Sequence, residues 1–240
     1  MILITRPRFD AELLAIKLNS LSLNYIIEPI MDIKFYSNFQ NDLRYYLNRT
    51  NIIIITSKNS LRAAWKFIPK NSILNIVGEK TAEYARELGF NNISIVANDV
   101  NSLVKNIINQ YAKNTGFIYL SGKITTIDLV KTLASQNFNI YKLVTYEAVP
   151  IKTFSKEAID SFEKNLIDIV LFFSEKTAEY FLNLAMNSNL VEKLGNINAI
   201  TISQKVTNTL SGVKWKNFFT ASCPSEDSII KLIKEEIYGK

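Results

Sequence analysis

Asn51-Ile-Ile-Ile-Ile-Thr-Ser57 is the sharpest feature of the hydrophobic pattern. Its isoleucines run on without polar alternation, so they predict a strand buried on both faces, as in a parallel sheet. Thr56 and Ser57 end it, and Leu61, Ala64, Trp65 and Ile68 follow at helical spacing. The same order of strand, hydroxyl and helix returns at Asp168-Ile-Val-Leu-Phe-Phe-Ser174, with Thr177, Ala178, Phe181 and Leu182 on the helical face. Two such turns, half a chain apart, predict an internal duplication. Each also presents a helix N-terminus, where free N–H groups and the helix dipole favour anions.

The rest of the chain fits that period. Strands are predicted at Ile2–Thr5, Tyr25–Glu28, Ile52–Ile55, Ile73–Val77 and Ile93–Val96. The pattern restarts with strands at Phe117–Leu120, Tyr141–Val144, Ile169–Phe173, Ala199–Ile202 and Phe218–Thr220. Amphipathic helices separate them, among them Val100 to Tyr111 and a last one bearing Ile229, Ile233 and Ile237. Each half also holds a long connection, residues 30–50 and 145–167, with a helix expected near Asp42–Leu47 and near Ala158–Phe162. Alternation of this kind predicts an α/β fold with two five-stranded, doubly wound parallel sheets. Each half could close on itself, with a split near Asn114. Alternatively, both long connections cross between domains, and their unusual length favours that scheme. In either case ligands are expected outside the carboxyl ends of the strands.

Composition narrows the chemistry. The chain has 240 residues, 48% of them hydrophobic and 21% charged, enough for real cores and against general disorder. No apolar run approaches a bilayer span, and the start Met1-Ile-Leu-Ile-Thr-Arg6 lacks the form of a signal peptide, so a cytoplasmic protein without a membrane partner is expected. Cys223 stands alone and there is no histidine. That removes an intrachain disulfide, a Ser-His-Asp triad and any His-based metal site. Acid–base chemistry must then use Tyr, Lys, Asp, Glu or the substrate itself. The net charge of +6 suits an acidic partner, although a Lys- and Asn-rich composition alone would also produce it. No run of Lys and Arg of nucleic-acid type occurs, so no nucleic-acid partner is expected.

Ile2-Leu-Ile-Thr-Arg-Pro7, Ile55-Thr-Ser57, Val77-Gly-Glu-Lys-Thr-Ala82, Leu120-Ser-Gly122, Val144-Thr-Tyr146 and Phe172-Phe-Ser174 stand in one order along nearly the whole chain. That ordered set resembles the uroporphyrinogen-III synthases. The resemblance implies two flavodoxin-like domains joined by two crossing linkers. The domains would be residues 1–34 with 150–240, and 38–146, with linkers near 30–50 and 145–155. It also implies a lyase without metal or cofactor, and a monomer is the expected state. The substrate would be hydroxymethylbilane, a linear tetrapyrrole with an acetate and a propionate on every ring. It loses its terminal hydroxyl, its last ring is turned over, and the macrocycle closes. Two other readings stay open: a non-enzymatic two-domain protein binding a small anion, and a nucleotide-dependent transferase. The last is weakened by the lack of a Walker loop or GxGxxG.

Candidate substrate contacts follow from position. Ser57 and Ser174 begin helices and are either plain N-caps or carboxylate donors. Gly78 and Thr81 open another helix, where the resemblance implies a pyrrole carboxylate contact at Thr81. The equivalent turn in the second half has Ser203 and Val206, so Ser203 and Lys205 are expected to substitute there. Arg6 follows the first strand, either as a solvated charge or as a carboxylate partner. Ser121, Gly122 and Lys123 hold the repeat-equivalent place, with Gly122 allowing close backbone approach. Glu79-Lys80 and Glu175-Lys176 read as solvated pairs, Trp65 as core and Cys223 as structural. Tyr146 lies where a strand runs out towards Pro150. With no imidazole present, its phenol is the expected catalytic proton donor or substrate-positioning group, a role the resemblance also implies. The plainer reading is an edge tyrosine with its hydroxyl in water.

Overall fold

The computed structural model describes residues 1–125 and 127–237, the side chains of residues 236 and 237 excepted. In chain order its elements begin β1 (Ile2–Ile4), α1 (Arg8–Ser20), β2 (Tyr25–Ile27), β3 (Met31–Phe35), α2 (Gln40–Leu47), β4 (Ile52–Ile55) and α3 (Lys58–Ala64). They continue β5 (Ile73–Val77), α4 (Glu79–Glu87), β6 (Ile93–Ala97), α5 (Val100–Gln110), β7 (Gly116–Gly122), α6 (Leu129–Ala134) and β8 (Asn139–Pro150). Then follow α7 (Lys156–Glu163), β9 (Ile169–Phe172), α8 (Glu175–Asn187), α9 (Val191–Leu194), β10 (Asn198–Thr201), α10 (Gln204–Leu210), β11 (Asn217–Thr220) and α11 (Glu226–Leu232). The chain divides into two compact units: Met1–Asp32 with Val149–Lys240, and Ile33–Ala148.

The first unit has a five-stranded sheet in the order β11-β10-β9-β1-β2, with every pairing parallel. Alternate residues of one strand serve opposite faces. Ile169 and Leu171 join Ile2, Ile4, Leu14, Leu18 and Ile229 on one side. Val170 and Phe172 join Phe154, Phe162, Phe181 and Trp215 on the other. Continuous apolar strands are what a doubly covered sheet requires. Trp215 is thus a core residue, its ring centroid 5.7 Å from that of Phe172. Cys223 is exposed, not structural as expected. The expected apolar face of the last helix is described through Ile233, which is buried; the side chain of Ile237 lies outside the described residues.

The second unit has a six-stranded sheet in the order β3-β8-β7-β4-β5-β6. The isoleucines of β4 divide in the same way, Ile53 and Ile55 to one face and Ile54 to the other. Five strands were expected here, and the sixth, β3, comes from the first long connection. Residues beyond it are structured too, since Phe39 and Leu43 are buried with Ile53, Leu61 and Phe90. The backbone N–H of Tyr36 donates to Thr145 O at 2.9 Å, just past the end of β3.

Candidate functional site

Both sheets have a topological switch point, where neighbouring strands lead off to opposite sides and a crevice opens beyond their carboxyl ends. In the second unit it lies between β4 and β7, since β4 leads to β5 and β6 while β7 leads to β8. Thr56 and Ser57 follow β4, and Ser121 and Gly122 end β7. Ser57 caps α3, its Oγ accepting from the Asn59 N–H at 3.2 Å. The Thr56 hydroxyl lies 3.3 Å from that of Tyr119. Tyr119 is a buried phenol, and its desolvation pushes its pKa above the ordinary tyrosine value; the Thr56 hydrogen bond opposes this and the Tyr146 phenol adds to it. Ser121 is fully buried, and its Oγ has no hydrogen-bond partner among the described residues.

Tyr146 stands beside this point. It is the register partner of Gly122 across β7 and β8, at a bulge between Ser121 and Gly122. A Cβ built on Gly122 would come within 2.8 Å of Tyr146 Cζ, so the space over Gly122 is filled by the phenol. The neighbours of Tyr146 are tied down as well. Thr145 Oγ1 donates to Ser121 O at 3.2 Å. The Lys123 N–H donates to Tyr146 O at 2.9 Å. Glu147 accepts the Lys123 ammonium at 2.8 Å and the Tyr36 hydroxyl at 2.7 Å. Lys123 and then the Tyr36 hydrogen bond hold the Glu147 carboxyl below its ordinary range. Glu147 in turn raises the pKa of Lys123 and of Tyr36.

Gly78 and Thr81 lie at the end of β5, next to β4. Gly78 has φ 87°, a left-handed conformation that glycine adopts without strain. It leads into α4, where Thr81 is buried and turns its Oγ1 back to within 3.7 Å of a Cβ built on Gly78.

In the first unit the switch point lies between β1 and β9. Arg6 and Ser174 flank it. Arg6 is engaged within the unit: its guanidinium meets Glu226 at 2.5 Å and lies over the Phe173 ring at 4.5 Å. Ser174 caps α8, accepting from the Thr177 N–H at 3.2 Å. Ser203 occupies the cap position of α10 without a side-chain capping bond. Lys205 pairs with Glu175 at 2.9 Å, so that carboxylate, like Glu79 with Arg86, is not merely solvated. Val206 is buried in the core. The next residue supplies a hydroxyl instead: Thr207 Oγ1 lies 2.5 Å from Thr201 Oγ1 and 2.7 Å from Thr220 Oγ1.

A family model described as uroporphyrinogen-III synthase HemD matches residues 12–231. The chain belongs to the uroporphyrinogen-III synthase family. Among solved structures it is similar to the synthase of Helicobacter pylori, with 19% identity, a TM-score of 0.63 and 98% of each chain covered. It is similar also to a mutant synthase of Thermus thermophilus, with 14% identity and a TM-score of 0.60, covering 100% of this chain and 99% of that one. At such identities these likenesses speak for the fold. No curated protein sequence matches the chain. No helix among the described residues is long and apolar enough to cross a membrane. In this member of the family, Ser57, Ser121, Gly122, Lys123 and Tyr146 gather around one switch point. Arg6 and Ser174 flank the other, with Ser203 and Lys205 one strand further on. Tyr36, Tyr119, Glu147 and Thr207 were not singled out from sequence. Only Glu147 carried a local signal, as the acid next to Tyr146.

Proposed function

We propose that this protein cyclises hydroxymethylbilane to uroporphyrinogen III and that Tyr146 donates the proton that lets the terminal hydroxyl leave. The family match across residues 12–231 carries the reaction. The half-buried phenol held beside a switch point supports the role of Tyr146. In the first step the C–O bond breaks, the phenol proton completes a water molecule, and the pyrrole stabilises the resulting cation. The last ring attacks that cation through the α-carbon that already bears its neighbour's methylene; the old C–C bond then breaks, the released methylene cation is captured at the ring's free α-carbon, and the proton lost from that carbon restores the balance. Dehydration of this kind needs an acid and no oxidant, so neither metal nor cofactor is invoked.

The substrate carboxylates are met by hydroxyls, N–H groups and cations at strand ends. Taken by itself, the second unit offers Ser57, Gly78, Thr81, Ser121, Gly122 and Lys123 as candidates; the first, by itself, offers Arg6, Ser174, Ser203 and Lys205. The net charge of +6 supports binding of such a polyanion. The same reading makes the enzyme a cytoplasmic monomer without nucleic-acid partners, in keeping with a single free cysteine. Freshly generated hydroxymethylbilane tests the reaction: the inverted macrocycle should form with the enzyme present. Only the uninverted isomer, the product of unaided closure, would overturn the reading and leave a binding protein.

A further inference from the structure

Gly122 has no need of glycine for its backbone. Among the described glycines only Gly78 and Gly89 have positive φ, so alanine fits the Gly122 conformation. The missing side chain is explained by space. A Cβ there would meet Tyr146 at 2.8 Å from Cζ, 3.0 Å from the hydroxyl oxygen and 3.2 Å from Cε1. Gly116, on the same strand, differs: its nearest neighbours would be in ordinary contact, at 3.5 Å. Every close atom at Gly122 belongs to the far end of one ring, the end that carries the reactive oxygen. Alanine would therefore push the phenol aside more readily than it would disturb the strand.

The bonds around the ring point the same way. The backbone of Tyr146 is fixed by the Lys123 N–H, and the next side chain, Glu147, is held by Lys123 on one side and Tyr36 on the other. Main chain and neighbour are thus clamped while the ring itself lies in the space that Gly122 leaves open. We propose that Gly122 is a positioning residue for ring inversion: its absent Cβ is the berth that holds the Tyr146 phenol at the end of β7. The idea rests on Tyr146 acting as the proton donor. It assigns Gly122 a task towards the enzyme's own side chain, distinct from close approach of substrate to its backbone.

A double-mutant cycle tests it, reading single-turnover formation of the inverted macrocycle, the share of uninverted isomer, product affinity and melting temperature. Gly122→Ala should slow closure about tenfold or more, approaching Tyr146→Phe, because general acid catalysis supplies at least that much. The uninverted share should rise, since bilane that is not turned over closes unaided. Product affinity and melting temperature should stay near wild type. In the Tyr146→Phe background Gly122→Ala should add less than about a twofold further change, as expected of two substitutions acting through one oxygen. Wild-type kinetics in Gly122→Ala overturn the proposal, as does an equal slowing in both backgrounds. Should Tyr146→Phe alone run at the wild-type rate, the proton-donor reading falls; slowing by Gly122→Ala in that case would mean that Gly122 acts on something else. If Gly122→Ala lowers the melting temperature, shortening residue 146 in Gly122→Ala/Tyr146→Val should restore it. Failure to restore it overturns the clash on which the berth depends.

Discussion

Removing the single oxygen of Tyr146 is the narrowest test of the chemistry. Tyr146→Phe should keep the fold and slow ring closure by about tenfold or more, measured by single turnover beside a melting curve. Equal rates at equal stability would leave the enzyme acting by folding the bilane alone. Two hydroxyls are separable in the same way. Ser57→Ala and Thr81→Ala should each weaken product binding by about 0.5–1.5 kcal/mol, one ordinary hydrogen bond, as read by titration. Ser57→Ala should also lower the melting temperature, because it removes the capping bond to Asn59, a loss typically worth about 1 kcal/mol. Thr81 has no capping role, so its variant should keep its stability better. Unchanged affinity in both would return them to capping and packing.

At the scale of elements, two features make predictions of different size. Phe181 of α8 lies with its ring centroid 5.1 Å from that of Phe172 and 5.5 Å from that of Phe154. Phe181→Ala would empty the middle of that aromatic cluster and should cost about 3–5 kcal/mol in denaturant unfolding. The bridge that joins Glu147 of β8 to Lys123 and Tyr36 is more exposed, so its effect is small but has a defined sign. Glu147 is held below its ordinary pKa, so its contribution is present above that value and is lost as pH falls through the depressed one. Lys123 and Tyr36 are raised, so theirs is present below their ordinary values and is lost as pH rises through the raised ones. The stability difference between wild type and Glu147→Gln should therefore be level from weakly acid to weakly alkaline pH and shrink at both ends. A difference that is flat at every pH would show that the bridge contributes nothing. Strands differ in how plainly the sequence reveals them. Ile52–Ile55 and Ile169–Phe172 were legible because a strand covered on both faces is apolar throughout. Strand β3 was not, since Met31-Asp-Ile-Lys-Phe35 is an edge with mostly outward side chains and looks like a loop. Arg6, Ser57 and Ser174 were legible as residues at strand ends. The Thr56–Tyr119 contact and the Gly122–Tyr146 berth were not, because each joins neighbouring strands, the second through a bulge that alters the register.

For the whole molecule, charge and chain order matter most. With a net charge of +6 and a polycarboxylate product, affinity should fall as ionic strength rises, because screening shortens the reach of charge to about 10 Å at 0.1 M salt. Product titrations across added salt would check this, and a flat response would contradict an electrostatic origin. Chain order has a consequence for birth on the ribosome. The strand Ile2–Ile4 lies inside its sheet, between β2 and β9, yet is made long before β9. Its partner β9 begins only at Ile169, and the ammonium of Met1 pairs with Asp168. At about 5–20 residues per second, that partner emerges on the order of ten seconds after the first strand. Everything from Ile33 to Ala148 is translated in the interval and can collapse around its own isoleucines. Strand β1 of the nascent protein is thus left with one neighbour, and an apolar edge in need of shelter, until translation has run on past Ile169.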